Sequence, residues 1–217
     1  GVLIMKQRWL LLCLITFMLS SIVSATSKIE GVFAPKILDA KVIAWGGAGA
    51  AYTSGPEAIL LNPARLAAAE KAQISITQVS LLEGLLPTSY LGFCLPTRLG
   101  SFGFATTKIA PAFTDFTYNE REDVLTWAKG IGGFSLGTNL KILKLEGLLA
   151  GNGSDFSAQG YSLDFGAVWE GDNMSSALVV QNLANKLTGE NYNPDSIPLS
   201  VRTGFLYSYD PTTKFII

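Results

Sequence analysis

From residue 73 onward the chain divides into strand-like segments whose connections alternate between short and long. The segments run over 73–82, 88–95, 99–109, 122–129, 133–144, 160–169, 175–183 and 198–209, and a ninth begins at residue 214. The connection after each odd-numbered segment is the longer one, and the connection after each even-numbered segment is a tight turn. Barrels of the bacterial outer membrane have short periplasmic turns and longer outside loops. The segmentation therefore predicts an all-β fold, a transmembrane antiparallel β-barrel.

Several segments also have a two-residue period, with one apolar face and one small or polar face. Successive side chains of a strand point to opposite faces, so each set lies on one face of the sheet. A membrane barrel has an apolar exterior and tolerates a polar interior. We therefore expect a lipid-facing set of Phe134, Leu136, Leu140, Tyr161, Phe165, Val201 and Phe205, and a lumen-facing set of Asn139, Lys141, Asp164 and Arg202.

The segment ends add further expectations. Trp169, Tyr207 and Tyr209 lie next to tight turns, where a periplasmic aromatic girdle would sit. Lys141 and Asp164 flank one long connection and are expected to be cross-strand neighbours of opposite charge. Segment 175–183 is apolar on both faces, so its direction stays open. An ordinary antiparallel sheet with one solvated face, in a secreted soluble β-sandwich, is the alternative to the barrel.

The N-terminus has the features of a secretory signal peptide. Lys6 and Arg8 precede an apolar run over 9–19, and small residues at 23–25 form a cleavage site. The run is shorter than the ~20 residues that a membrane-spanning helix needs. We expect residues 1–25 to be an upstream scar plus a signal peptide, and the protein to be exported to the bacterial cell outer membrane.

Composition argues against an enzyme. The chain has no histidine, which removes the usual Ser-His-Asp and Cys-His arrangements and the common zinc sites. Asp115, Glu120, Glu122 and Asp123 are expected to be solvated carboxylates in or beside a loop, because charged side chains are mostly exposed. No basic stripe of the kind that binds nucleic acid is present. We expect no catalytic residue, no metal and no cofactor.

Residues 26–72 contain a glycine-rich run and an Asn-Pro turn. The Gly-x-Gly pair of the run resembles part of a dinucleotide fingerprint, but no third small residue follows at the required spacing. The physical alternative is a compact segment that folds in little space, in which Asn62 and Pro63 set a turn.

Gly46, Gly47, Asn62, Pro63 and Ala64 resemble the N-terminal signature of the FadL-like outer-membrane proteins, the long-chain fatty-acid transporter superfamily. A second patch within 161–183 is similar to the PorV/PorQ-type branch of that superfamily. The resemblance implies a barrel of about 14 strands with an N-terminal plug, a size within the range of bacterial barrels. It also implies that residues 26–72 form this small plug or hatch inside the barrel of residues 73–217.

The resemblance also implies a function. Members of the family take up hydrophobic compounds, and PorV-type members handle cargo in type IX protein secretion. The implied partners are outer-membrane lipid and either a hydrophobic small molecule or a secreted protein. The chain departs from the family at Arg65, where glycine is common, and at Trp45. The alternative function is that of a secreted adhesin or structural surface protein.

The ninth segment has only four residues before the sequence ends at Ile217. Single-chain bacterial barrels have an even number of strands, and lipid does not satisfy the backbone groups of an open sheet edge. We therefore expect an N-terminal fragment, with about five further strands completing a barrel of the implied size.

Overall fold

The computed structural model describes residues 32–33, 36–81, 84–111, 116–149, 155–190, 197–209 and 214–216. Nine strands form one antiparallel sheet in which each strand pairs with its neighbours in chain order. The strands are β1 (Gln73–Leu81), β2 (Leu86–Thr97), β3 (Gly100–Ile109), β4 (Phe116–Ile131), β5 (Phe134–Leu149), β6 (Asp155–Glu170), β7 (Met174–Glu190), β8 (Ser200–Ser208) and β9 (Lys214–Ile216). The predicted signal peptide, residues 1–25, lies outside the described residues.

All nine predicted strands are confirmed, but the four central ones are longer than predicted. The main additions are 116–121, 145–149, 155–159 and 184–190. The predicted connections were too long because charged residues had been assigned to loops. Pairing instead continues through them, and Glu120 stands opposite Leu145 in the ladder. The tight turns at 98–99, 132–133 and 171–173 overlap the predicted ones at 96–98, 129–132 and 170–173, and the predicted turn at 210–213 lies outside the described residues.

In the described part of the chain, three short helices precede the sheet. They are α1 (Ala40–Ala44), α2 (Ala58–Leu61) and a 3₁₀ helix (Pro63–Ala68). Asp39 caps α1, since its carboxylate accepts the N–H of Lys41 over 2.8 Å. We call residues 36–72 the N-terminal segment, and we call the sheet face against which it packs the inner face. Within the described residues, no helix combines the length and apolarity needed to cross a membrane.

The two sheet faces differ in composition along every long strand. Inner positions of β4 to β6, and of the first half of β7, alternate with outer positions, as the burial of alternate residues shows. The direction of β7, which the sequence left open, is now settled for its first half: Ala177 and Val179 point inward and Leu178 outward. Among the described residues, β1 and β9 each pair with one neighbour only, so the described sheet has two edges.

Candidate functional site

Two glycines on neighbouring strands form the seat of the N-terminal segment. Gly137 of β5 and Gly166 of β6 are register partners, and the chain at Pro63 and Ala64 lies directly over them. A Cβ atom on Gly137 would stand 2.7 Å from the Cα of Ala64, and one on Gly166 would stand 3.0 Å from the Cδ of Pro63. Close backbone approach of this kind requires glycine. The small residues of the inner face therefore leave room for the N-terminal segment.

Asn62 is fully buried and holds the turn above this seat. Its Nδ2 donates to the carbonyl of Ala50 over 2.8 Å, and its Oδ1 accepts the N–H of Ala64 over 3.1 Å. Pro63 follows as the first residue of the 3₁₀ helix, a position where its missing N–H loses no intrahelical bond. The side chain of Asn62 thus ties together two parts of the N-terminal segment, residues 50 and 64.

Amide side chains of the sheet satisfy the carbonyl end of α2. Asn139 of β5 donates through Nδ2 to the carbonyl of Ile59 over 2.8 Å. Gln181 of β7 donates through Nε2 to the carbonyl of Leu60 over 3.0 Å. The last carbonyls of a helix have no intrahelical partner, so a buried helix end needs such donors. These two bonds fix the height of α2 above the inner face.

Five charged side chains form what we call the polar ladder: Lys36, Glu120, Glu122, Lys141 and Asp164. Lys141 Nζ lies 2.9 Å from Asp164 Oδ2 and 3.3 Å from Glu122 Oε1. Lys36, from the N-terminal segment, lies 2.5 Å from Glu120 and 3.6 Å from Glu122. Acid and base therefore alternate across β4, β5 and β6, and every member of the ladder has an opposite charge beside it.

Asp164 is the most deeply buried member of the ladder, at 1% exposed. Besides Lys141, its Oδ2 accepts Nδ2 of Asn139 over 3.0 Å, and its Oδ1 accepts the backbone N–H of Asn182 over 3.0 Å. A buried carboxylate is tolerated only when it is paired and hydrogen-bonded. Asp164 meets both conditions.

The bond from Asn182 depends on a bulge in β7. The register between β6 and β7 shifts between Leu163 and Phe165, and Asn182 has a φ of +60°. Asparagine is among the few residues that enter this region readily. The side chain of Asn182 accepts from Ser162 Oγ over 2.9 Å and donates to the carbonyl of Pro198 over 3.0 Å. The bulge lets Gln181 and Asn182 both be buried on the inner side.

Arg65 links the N-terminal segment to the tight-turn end of the sheet. Its Nε donates to the carbonyl of Thr53 over 2.9 Å, and its guanidinium pairs with the carboxylate of Glu170 at the end of β6. Arg65 is 8% exposed. Arg65, at the position where glycine is common in the FadL-like proteins, thus connects the N-terminal segment to the end of β6.

An apolar patch lies near the opposite end of the inner face, where the connections are longer. Phe33 is 4% exposed and packs in one cluster with Leu143, Leu145, Ala158, Leu187 and Ile197. The N–H of Phe33 donates to Glu120 Oε2 over 3.2 Å, which joins this cluster to the polar ladder. The inner face is therefore not uniformly polar: it combines a charged strip with an apolar patch.

The outer face has the opposite character. One cross-strand row in continuous register consists of Ile74, Phe93, Phe104, Leu125, Leu140 and Leu163. These six side chains are between 37% and 68% exposed. Toward the longer connections the face becomes polar, and a second register row consists of Gln78, Ser89, Lys108, Arg121, Lys144 and Gln159. The row from Gln78 to Gln159 thus marks where the apolar rows end on the side of the longer connections.

The structure brings together three of the four predicted lumen-facing residues. Asn139, Lys141 and Asp164 are buried in one network, and the predicted Lys141–Asp164 pair is confirmed as a diagonal contact, since Asn139 is the residue directly opposite Asp164. Arg202 is half-buried on the inner side of β8. The predicted outer set, from Phe134 to Phe205, lies on the outer face.

The five predicted plug residues fall into two groups. Asn62, Pro63 and Ala64 sit together on the glycine seat. Gly46 and Gly47 lie in a separate turn after α1, with φ values of +66° and +91°. A Cβ on Gly46 would meet nothing within 4 Å, whereas one on Gly47 would stand 3.2 Å from Ile37 Cδ1.

The expectation of solvated carboxylates in a loop is wrong for Glu120 and Glu122. Both lie in β4, are 5% exposed and belong to the polar ladder. Their two-residue spacing places both on the inner face, and this spacing is the sequence pattern that could have predicted their position. Asp123, at an odd-numbered position of β4, points outward beside Arg121, and Asp115 lies outside the described residues. Lys36 had no sequence signal, whereas Gln181 and Asn182 lie in the second patch of the family resemblance, which did not predict their contacts.

Comparisons of the chain with protein-family models, with curated proteins and with solved structures found no match.

Proposed function

We propose that this chain forms wall strands of an outer-membrane β-barrel of the FadL-like kind, with the N-terminal segment as its plug. The observation that carries the proposal is the apolar row on the outer face, from Ile74 to Leu163, whose six members are 37% to 68% exposed. Soluble proteins rarely leave a large contiguous apolar surface in water. A lipid environment is the solvent that such a face requires.

The dimensions of the apolar surface fit the same proposal. On β5 the outer positions from Phe134 to Ile142 are all apolar except Thr138. They span nine residues, and a tilted membrane strand needs about 9–11. Lys144 and Glu146 follow on the same face beyond this span. Polar flanks on an apolar band are typical of membrane barrels.

For the activity we propose uptake of a hydrophobic compound. A barrel that conducts only water-soluble solutes has a polar interior. Here the inner face also carries the apolar patch of Leu143, Leu145 and Leu187, which Phe33 covers. An apolar patch beside a charged strip suits an amphipathic or apolar molecule. The PorV-type resemblance also implies cargo handling, and the molecules that copurify with the protein distinguish cargo handling from uptake.

Carbonate extraction of membranes tests the location. We expect the full-length protein to stay with the pelleted outer membrane in alkaline carbonate and to require detergent for release. Release by carbonate or high salt alone would contradict the barrel and favour the secreted β-sandwich.

Analysis of what copurifies tests the activity. The detergent-purified protein is extracted with organic solvent, and the extract is analysed by mass spectrometry. We expect an apolar compound with the wild type and with Leu148→Glu on the outer face, and its loss from Leu143→Glu in the inner patch. Heat-dependent mobility in electrophoresis checks that both variants fold. A retained secreted protein, with no apolar compound, would support cargo handling instead.

A further inference from the structure

Three basic side chains lie side by side on the outer face just beyond its apolar part. Lys108 of β3, Arg121 of β4 and Lys144 of β5 are direct register partners on adjacent strands. All three are exposed. Like charges that stand directly opposite one another destabilise a sheet. Three in a row, about 10 Å long at two strand spacings, therefore call for a compensating anion.

The sheet itself supplies little compensation. Arg121 Nε lies 3.0 Å from Asp123 Oδ2, on the neighbouring row. Among the described residues, Lys108 and Lys144 form no ion pair within 4.0 Å. Glu146, the next outer residue of β5, is the other carboxylate beside the row and is exposed. The row of Lys108, Arg121 and Lys144 therefore keeps a net positive charge. Two of its cations, Lys108 and Lys144, have no carboxylate partner among the described residues.

The position of the row identifies the anion. Moving toward the tight turns, the outer face continues through the row of Thr106, Asp123 and Ile142. The following row consists of Phe104, Leu125 and Leu140, all of them exposed. In the proposed orientation the longer connections face outside. The three cations then lie at the headgroup level of the outer leaflet, directly above the acyl chains. The anionic groups at that level are the phosphates of the outer leaflet's glycolipid.

We propose that Lys108, Arg121 and Lys144 bind the phosphate groups of a lipid A-type glycolipid, and this rests on the proposed membrane location. Arginine forms bidentate bonds with phosphate, and lysine contributes a mobile point charge. Arg121, held from one side by Asp123, is the oriented member at the centre. Lys108 and Lys144 flank it.

The test compares two triple variants of the full-length protein in phosphatidylcholine vesicles that contain lipid A. The patch variant is Lys108→Gln, Arg121→Gln and Lys144→Gln. The control variant removes the same charge elsewhere, at Lys41→Gln, Lys71→Gln and Lys129→Gln. Lipid A retained after detergent exchange is measured by native mass spectrometry. We expect the patch variant to bind about a hundredfold more weakly, as three basic residues near an anionic surface predict, and the control to match the wild type.

Two further arms identify the source of the phosphate. Enzymatically dephosphorylated lipid A should bind the wild type no better than it binds the patch variant. Inorganic phosphate at millimolar concentration should leave lipid A bound. Equal retention by the two triple variants, or displacement by inorganic phosphate, overturns the proposal. If carbonate released all three proteins from membranes, the proposed membrane barrel would be contradicted. That outcome is distinct from a loss of lipid A binding by the patch variant alone.

Discussion

The two faces of one sheet follow opposite rules, and three consecutive residues of β6 show the contrast. Asp164 points inward and is 1% exposed, whereas Leu163 and Phe165 point outward and are 37% and 40% exposed. A sheet that folds in water buries its leucines and exposes its aspartates. The inversion teaches that the inner face is packed against the N-terminal segment, while the outer face leaves its large apolar side chains exposed.

The inner face achieves its inversion because each charged side chain of the polar ladder lies beside an opposite charge. Removal of a charge from water carries a large desolvation penalty, which only close opposite charges and hydrogen bonds offset. Asp164 has Lys141, Asn139 and the N–H of Asn182 as partners. The outer face shows no comparable network among the described residues, and its stability depends on the surrounding solvent. Variants on the two faces should therefore respond differently.

The largest effect is expected for Asp164→Ala. The substitution removes one of the two carboxylates beside Lys141, which keeps Glu122, and it leaves the Asn182 N–H without its buried acceptor. Breaking a buried pair destabilises by about 3–5 kcal/mol. The outer-face control is Asp123→Ala, which removes a partly exposed carboxylate. Urea unfolding in detergent micelles measures both. Equal destabilisation by the two variants would show that the inner network is no more important than a surface contact.

Second in size is an arginine placed on the outer face. Leu140→Arg should destabilise the protein by about 2–4 kcal/mol if the side chain meets lipid at the midplane. Leu148→Arg is the matched control, on the same face of the same strand but beyond Lys144 and Glu146, where the effect falls to about 0–1 kcal/mol. The measurement is reversible unfolding from lipid vesicles. Tolerance of arginine at both positions would indicate that water covers this face.

Much of this contrast could be predicted from the sequence. A two-residue period assigns faces without any tertiary information, so Asn139, Lys141 and Asp164 were placed together correctly. The same period failed at Glu120 and Glu122, because a stretch rich in charge resembles a solvated connection. A charged residue in a strand requires a partner to be buried, and Lys36 lies 84 residues from Glu120 in the chain. No local pattern identifies a partner at that distance.

The glycine seat and the bulge were beyond sequence reasoning for a different reason. In the sequence Gly137 and Gly166 are only small residues on the inner face. A glycine in a strand permits close approach of another backbone but does not identify which one. Asn182 lies in a segment that is apolar on both sides, and its positive φ comes from tertiary bonds to Ser162 and Pro198. Both features depend on contacts between distant elements rather than on local propensity.

A methyl group at the seat is the third test. Gly137→Ala would bring its Cβ to 2.7 Å from Ala64 Cα, and the required shift should cost about 1–3 kcal/mol, as overpacking does. Gly130→Ala in β4 is the control, since its nearest neighbour would be Ser135 Oγ at 3.6 Å. Protease sensitivity of the N-terminal segment should rise only in Gly137→Ala. Identical unfolding midpoints for the two variants would mean that the segment does not seat on Gly137.

The smallest expected effect is the coupling between Arg121 and Asp123 on the outer face. The two side chains are 3.0 Å apart, yet Arg121 is 53% exposed, so water screens the pair. A double-mutant cycle with Arg121→Gln and Asp123→Asn should give about 0.2–1 kcal/mol, the range of surface ion pairs. The cycle belongs in micelles free of anionic lipid, and salt should weaken the coupling further. The same cycle with Lys141→Gln and Asp164→Asn, both on the inner face, should give a larger coupling that salt barely changes. If salt reduced the two couplings equally, the inner pair would be as well hydrated as the outer one, and the contrast between the faces would rest on geometry alone.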